Sequence, residues 1–476
     1  MKDLRKFYIN GKWLEPVSRR EMAVINPATE KSIATITMGS SEDIDRAVVA
    51  AKIAFASYSR TSKEKRLALL EKFLRIYQER YEEMAQAITA EMGAPISMSR
   101  ESQADCGVGH LQGFIDALKA QEERETLYNG DTLVREPIGV CGLITPWNWP
   151  MNQVALKVVP ALAAGCTCVL KPSEFTPLSA ALYAEMLHDT GFPAGVFNLV
   201  NGDGPTAGAT LSKHADIQMI SFTGSTRAGR AISKDTADTV KRVTLELGGK
   251  SPNLVFADCG PDLVNRVAAS VHECFGNTGQ SCDAPTRMLV EQSCYDEVVG
   301  MAKSAGEAQA VGDPAVEGDH IGPLVNEIQF KRVQGHIERA IRDGARLLCG
   351  GPGKPEGFET GYYVRPTIFA DVSNDMAIAR EEVFGPVLAI LPFDSEEQGI
   401  EIANDTPYGL AAYIQTGDAE RAERVAARLR AGAVHINGGG FEYGTPFGGY
   451  KQSGNGREGG MMGLEDYQEV KTLHFG

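Results

Sequence analysis

The sequence predicts an α/β protein whose parallel sheets are covered by helices on both faces. Three observations carry this. Short apolar strands alternate with helical segments from Gly139 to Lys250, a second alternating series begins near Asn253 and runs to about residue 440, and extended segments flank them at 7–37, 126–137 and in the tail. Apolar strands between helices belong to sheets buried on both sides. At 476 residues the chain is too long for one core, so two or three domains are expected.

Taken in order, residues 7–37 alternate apolar and polar with turns at Asn10-Gly11 and Asn26-Pro27, the pattern of short antiparallel strands. Ser41-Glu42-Asp43 opens a helix with acidic residues in its first turn, and amphipathic helices are expected over 63–92 and 99–120. The segment 126–137 reads as one excursion strand. Strands are then predicted at Val140–Ile144, Thr167–Lys171, Val196–Val200, Met219–Phe222 and Val243–Leu247. Helices are predicted at Gln153–Ala164, Ser179–Asp189, Pro205–Ser212 and Ser225–Thr236. The tail, 460–476, is expected to be extended and to rejoin the excursion strand, within one chain or between subunits.

Composition excludes several functions. A net charge of -15 leaves no basic surplus for nucleic acid or an anionic membrane. No apolar run approaches membrane-spanning length. Met1-Lys2-Asp3-Leu4-Arg5-Lys6 is followed by no apolar stretch of the secretory kind, and nine cysteines stand without disulfide-like or zinc-like spacing. A reducing, cytoplasmic location is expected, with no metal.

The stretch richest in chemistry is Phe275-Gly276-Asn277-Thr278-Gly279-Gln280-Ser281-Cys282-Asp283-Ala284-Pro285. Its Gly and Asn residues permit sharp or left-handed backbone that presents a side chain at a pocket floor. Cys282 there reads either as a nucleophile, its thiolate favoured by oriented N–H groups, or as a small buried thiol beneath a loop. Thr223-Gly224-Ser225-Thr226-Arg227-Ala228-Gly229 follows a strand and opens a helix, the arrangement that binds phosphate, though a turn glycine plus a packing glycine would look the same. Lys171-Pro172-Ser173-Glu174 closes another strand. Its Lys and carboxylate are placed to bond ribose hydroxyls, or form a solvated pair at a helix start. Thr145-Pro146-Trp147-Asn148-Trp149-Pro150 offers Asn148 as an amide donor to an oxyanion, or as a turn residue bonding its own backbone. Leu245-Glu246-Leu247-Gly248-Gly249-Lys250 places a carboxylate among leucines, where desolvation raises it toward a useful base unless Lys250 pairs with it.

Together these segments resemble the aldehyde dehydrogenase superfamily over essentially the whole chain. The matching pieces, in the family's order, are Pro146-Trp147-Asn148, Lys171-Pro172-Ser173-Glu174, Phe222-Thr223-Gly224-Ser225 and Leu245-Glu246-Leu247-Gly248-Gly249-Lys250, then Gly279-Gln280-Ser281-Cys282, Glu381-Glu382-Val383-Phe384-Gly385-Pro386 and Pro446-Phe447-Gly448-Gly449-Tyr450-Lys451. The resemblance implies a Rossmann-like NAD-binding domain (1–125 and 138–248), a second α/β catalytic domain (249–445) and a small β oligomerisation arm (126–137 and 460–476), in a homodimer or homotetramer. It implies Cys282 as nucleophile, Asn148 with the Cys282 N–H as oxyanion hole, and Glu246 as the base that activates a deacylating water. The cofactor would be NAD, held by Thr145, Pro146, Trp147, Lys171, Ser173, Glu174, Gly204, Thr223, Gly224, Ser225, Gly229, Leu247, Glu382 and Phe384. Glu174 would disfavour the 2′-phosphate of NADP, which enters if that carboxylate rotates away.

By the same resemblance the thiolate adds to a small-molecule aldehyde, hydride leaves to the nicotinamide, and water hydrolyses the thioester to an acid. Glu246 favours water over coenzyme A as acyl acceptor. An acyl transferase using the same thioester and a non-catalytic structural member of the fold are the alternatives. By position Trp149, Gln153, Leu156, Ser281, Asp283, Phe441 and Phe447 would wall the aldehyde tunnel. Asp283, directly after the nucleophile, departs from the family pattern: it would repel acidic aldehydes, recognise a hydroxyl or amine, or point away. His272 and His435 read as core or loop residues.

Overall fold

Two large sheets meet at one seam in the computed structural model, which describes residues 2–475. The first has a parallel centre in the spatial order Arg242–Glu246, Met219–Thr223, Val140–Ile144, Thr167–Lys171, Phe197–Leu199. Every residue of its middle three strands is buried, which is why they appear in sequence as unbroken apolar runs. Antiparallel strands close the edges, Phe7–Ile9 and Lys12–Leu14 on one side and Gly454–Asn455 on the other. After Val140–Ile144 the chain adds strands to one side, then returns to add Met219–Thr223 on the other. That reversal of order opens a crevice at the carboxyl ends of the strands.

The second sheet runs Arg346–Cys349, Thr367–Ala370, Val387–Phe393, Arg287–Glu291, Pro252–Val255, Ala411–Gln415, Ala433–Ile436, parallel except for its first pair. Only residues 247–251 separate the end of Arg242–Glu246 from the start of Pro252–Val255. The carboxyl ends of the first sheet therefore face the amino ends of the second. Loops that precede Arg287 and Val387 converge on the same seam, and this is what brings distant motifs together.

Two expectations need correction. The excursion is a hairpin, Arg124–Thr126 and Thr132–Pro137, rather than one strand, and Gln468–Leu473 of the same chain completes a three-stranded antiparallel sheet with it. The tail is not extended throughout. Gly460–Glu465 is a helix, because Leu464 is fully buried and anchors a turn that the local glycines would not form alone. No helix among the described residues is long and apolar enough to cross a membrane.

One buried carboxylate ties the helical layer together. Glu91 accepts hydrogen bonds from the N–H groups of Leu178 (2.5 Å) and Ser179 (3.0 Å) and from the Ser179 hydroxyl, at the first turn of the helix Pro177–Thr190. Burial pushes its pKa up to about 8. Glu91→Ala strands two buried N–H donors and a hydroxyl, so a stability loss of about 2–4 kcal/mol is expected, read by chemical denaturation. A variant as stable as the parent would contradict this.

Candidate active site

Cys282 sits where the two sheets meet, at the end of a loop that the sequence forces into an unusual path. Asn277, Thr278 and Gly279 all adopt positive φ (53°, 58° and 67°), a left-handed run that turns the chain sharply out of the helix Leu263–Phe275. Gly279 has a second reason to lack a side chain: a Cβ there would lie 2.1 Å from the Gly385 carbonyl oxygen. A Cβ on Gly249 would likewise stand 2.2 Å from the Cys282 carbonyl oxygen, so the strand end bearing Glu246 presses directly on the Cys282 loop.

Buried amides fix this loop against the one carrying Asn148. Asn148 Nδ2 donates to the Gln280 carbonyl (2.9 Å), and the Asn148 carbonyl accepts from Gln103 Nε2 (3.0 Å) and Asn277 Nδ2 (2.9 Å). Trp149 Nε1 donates to Ser281 Oγ (2.8 Å). Gln103 was not singled out in the sequence. It comes from a single wide π-turn, Ser99–Gln103, inside an ordinary amphipathic stretch.

The electrostatics around Cys282 favour the thiol over the thiolate. Burial pushes the Cys282 thiol well up, and the carboxylates Asp283, Glu382 and Glu246 push it further. Glu246 is 2% exposed, and neither carboxylate oxygen has a partner in the protein. Burial raises its pKa strongly, as does neighbouring Glu458. The Lys250 alternative fails: its ammonium also has no partner, and burial lowers its pKa to about 8. Instead, Lys157, fully buried in the apolar helix Pro150–Ala164, donates to Glu458 and to Thr223 Oγ1 (2.6 Å). Neither Lys157 nor Glu458 was picked out from sequence, although a lone charged residue in an otherwise uncharged, buried helix signals a hidden partner.

The expected cofactor residues line the carboxyl ends of the first sheet. Lys171 is buried, donates to the Gly202 carbonyl (2.8 Å) and stands 3.5 Å from Glu174, so it is not the solvated alternative. Ser173 and Thr145 are buried beside it, and Gly204 opens the next turn. Ser225 caps the helix Thr226–Thr236 by accepting from the Ala228 N–H, and a Cβ on Gly229 would meet Leu247 at 2.6 Å. Thr223 is turned inward, its hydroxyl engaged by Lys157. Across the seam Glu382 accepts from the Gly249 N–H (3.0 Å), and Phe384 packs edge-on against Trp147, which follows Pro146, with centroids 5.4 Å apart. Phe384 has φ 58°, a strained value held by Gln329, whose amide donates to the Phe384 carbonyl (2.7 Å).

On the other side of Cys282 lies a cavity of about 930 Å³. Trp149, Gln153, Leu156, Ser281, Asp283, Phe441 and Phe447 all line it. So do His272 and His435, which correct their assignment to core or loop. A half-buried thiol thus lies between an open cavity and a crevice at a topological switch point, with an unpartnered carboxylate and an anchored amide beside it.

Comparison with known proteins gives the class of the protein. The profile of the Aldehyde dehydrogenase family matches residues 13–473. A 3-succinoylsemialdehyde-pyridine dehydrogenase of a Pseudomonas species is 52% identical over 475 residues, covering 99% of each chain. An aldehyde dehydrogenase of Bartonella henselae superposes with a TM-score of 0.97 at 51% identity, covering 99% of both chains. Aldehyde dehydrogenase C of Pseudomonas syringae, solved with NAD+ and octanal, gives a TM-score of 0.97 at 50% identity over 98% of this chain and 96% of that one. The chain belongs to the aldehyde dehydrogenase family.

Proposed function

We propose that the protein oxidises a medium-sized, partly apolar aldehyde to the carboxylic acid with NAD, through a covalent intermediate on Cys282. The observation that carries this is Cys282 at the junction of cavity and crevice, with Glu246 buried and unpartnered beside it. The crevice residues fit a dinucleotide. A serine-capped helix N-terminus follows a glycine turn, Lys171 and Glu174 are paired for a ribose, and Glu382 lies against the seam, where a Cβ at 248 would be 2.6 Å from Glu382 Oε2. Bound NAD would supply the hydride acceptor.

The protein's own groups do the rest. Cys282 adds to the aldehyde carbonyl, and the Asn148 amide with the Cys282 N–H holds the oxyanion. Such donors are typically worth ~10²–10³ in rate each. After oxidation the acyl group remains on Cys282 as a thioester. Glu246 takes a proton from water, which attacks the thioester and frees the acid and the thiol. Octanal in one relative and a pyridine-bearing semialdehyde in the name of another support a tunnel for a chain several carbons long.

The same reading assigns 1–125 with 138–248 to cofactor binding, 249–445 to catalysis, and the sheet of the hairpin and tail to subunit contacts in a cytoplasmic homodimer or homotetramer. The test is reduced-nicotinamide formation on an aldehyde panel with NAD and NADP. Turnover with NAD is expected in the parent and loss of at least ~10⁴-fold in Cys282→Ala, since the covalent route then has no nucleophile. Turnover that survives in Cys282→Ala would overturn the assignment.

A further inference from the structure

The cavity beside Cys282 is one-sided in charge. Glu101, Glu273, Asp283, Asp319 and Glu442 line it, and no lysine or arginine does. The whole chain carries 47 Lys+Arg against 62 Asp+Glu, so this lining is not a sample of the general surface. Among the described residues, none of these five carboxylates is ion-paired with a lysine or arginine, whereas Glu21, Glu82, Asp371, Glu396 and Glu397 elsewhere are each paired with an arginine. His272, His320 and His435 are the only basic side chains in the lining. Two of the three have a nitrogen already spent on backbone, His435 on the Gly439 carbonyl (2.8 Å) and His320 on the Asp313 carbonyl (3.0 Å).

A second, independent feature points to a ligand. Gln153 lines the cavity, is 4% exposed, and its amide oxygen has no partner in the protein. A buried acceptor left unmet costs stability, so a ligand N–H that reached Gln153 at the cavity wall would offset that cost. The wall also carries the rings of Trp149, Phe441 and Phe447, whose faces attract cations. Carboxylates, an orphan acceptor and aromatic faces are what an organic cation binds to.

We propose that the tunnel selects aldehydes whose far end is an organic cation, an ammonium or a protonated ring nitrogen, and discriminates against aldehydes that end in a carboxylate. This rests on the aldehyde-oxidising reading of the site. A cation in the tunnel supplies the counter-charge that the lining lacks, while a second anion meets like charge in a partly desolvated space. Neutral alkyl aldehydes fall between the two.

Two measurements test it, and they separate this inference from the parent reading. The first compares kcat/KM for 4-(dimethylammonio)butanal, whose protonated nitrogen carries one N–H, its carbon isostere 5-methylhexanal and glutarate semialdehyde, matched in length. The cation is expected to exceed the anion by about 10²-fold at low salt, as several unpaired charges at intermediate dielectric imply. The cation-to-anion ratio should fall about tenfold in Asp283→Asn/Glu273→Gln and shrink in high salt. The second needs no oxidation. Cys282 is modified with cationic, neutral and anionic methanethiosulfonates, each rate normalised to a small free thiol, with Cys282→Ala as blank. The cationic reagent should again lead the anionic one by about 10²-fold. Charge-blind rates in both measurements, with 5-methylhexanal still oxidised, would overturn this inference and leave the enzyme class intact. A cation preference at Cys282 with no aldehyde oxidised would overturn the class and leave the tunnel's selectivity standing.

Discussion

Glu246→Gln should release about one equivalent of reduced nicotinamide per active site and then stall, with steady-state turnover down ~10³-fold, in the range that general-base removal costs. The two halves of the reaction depend on Glu246 in opposite ways. Its carboxylate is one of the charges that push the Cys282 thiol up, so neutralising it makes the thiolate easier to form. Acylation and hydride loss therefore survive. Hydrolysis of the thioester does not, because Glu246, 2% exposed with both oxygens unpartnered, is the base assigned to the attacking water. Glycine at 448 is part of the same design: a Cβ there would stand 2.7 Å from Glu246 Oε1, so the small residue leaves room for the carboxylate. Gln keeps that shape and removes only the basicity. Stopped-flow absorbance gives the burst, and mass spectrometry of the quenched enzyme gives the acyl adduct on Cys282. Equal loss of burst and steady state would mean that Glu246 serves acylation instead.

The parts legible in the sequence are those set by short-range rules. Val140–Ile144 and Thr167–Lys171 match the predicted strands residue for residue, because a strand buried on both faces is an unbroken apolar run ending in a turn. Motif loops such as 145–150 and 223–229 lie at strand ends and carry their own glycines and prolines. What stayed hidden depends on long-range packing. Lys157 and Glu458 are 301 residues apart and meet only because Gly454–Asn455 returns to pair with Arg242–Glu246. The helix Gly460–Glu465 looks extended because its glycines disfavour a helix locally, and burial of Leu464 overrides them. Gln103 needed a π-turn that no periodicity announces. The Cys282 loop was legible as a sharp turn, but its surroundings of three carboxylates were not, since Asp283, Glu382 and Glu246 come from three separate motifs.

Lys157→Met should destabilise the fold by about 3–5 kcal/mol, the usual cost of leaving one member of a buried ion pair uncompensated. Lys157 is fully buried and Glu458 is 4% exposed, so the orphaned carboxylate cannot reach water. Its remaining contact is Ser221 Oγ at 3.4 Å, and its second oxygen already lacks a partner. Lys157→Met/Glu458→Gln should recover most of the loss, because removing both charges removes the desolvation cost with them. Activity gives a second, independent readout. Lys157, ahead of Arg457, pulls the Glu246 pKa down, while Glu458 pushes it up. A base works only when ionised, so loss of Lys157 should move the acid limb of the kcat–pH profile to higher pH. The double variant should move it back, since the push is gone as well as the pull. Thermal or urea unfolding beside a pH profile on one aldehyde distinguishes the two effects. A single variant that melts like the parent would show that Glu458 is neutral in the fold, and an unmoved acid limb would show that Lys157 does not act on Glu246.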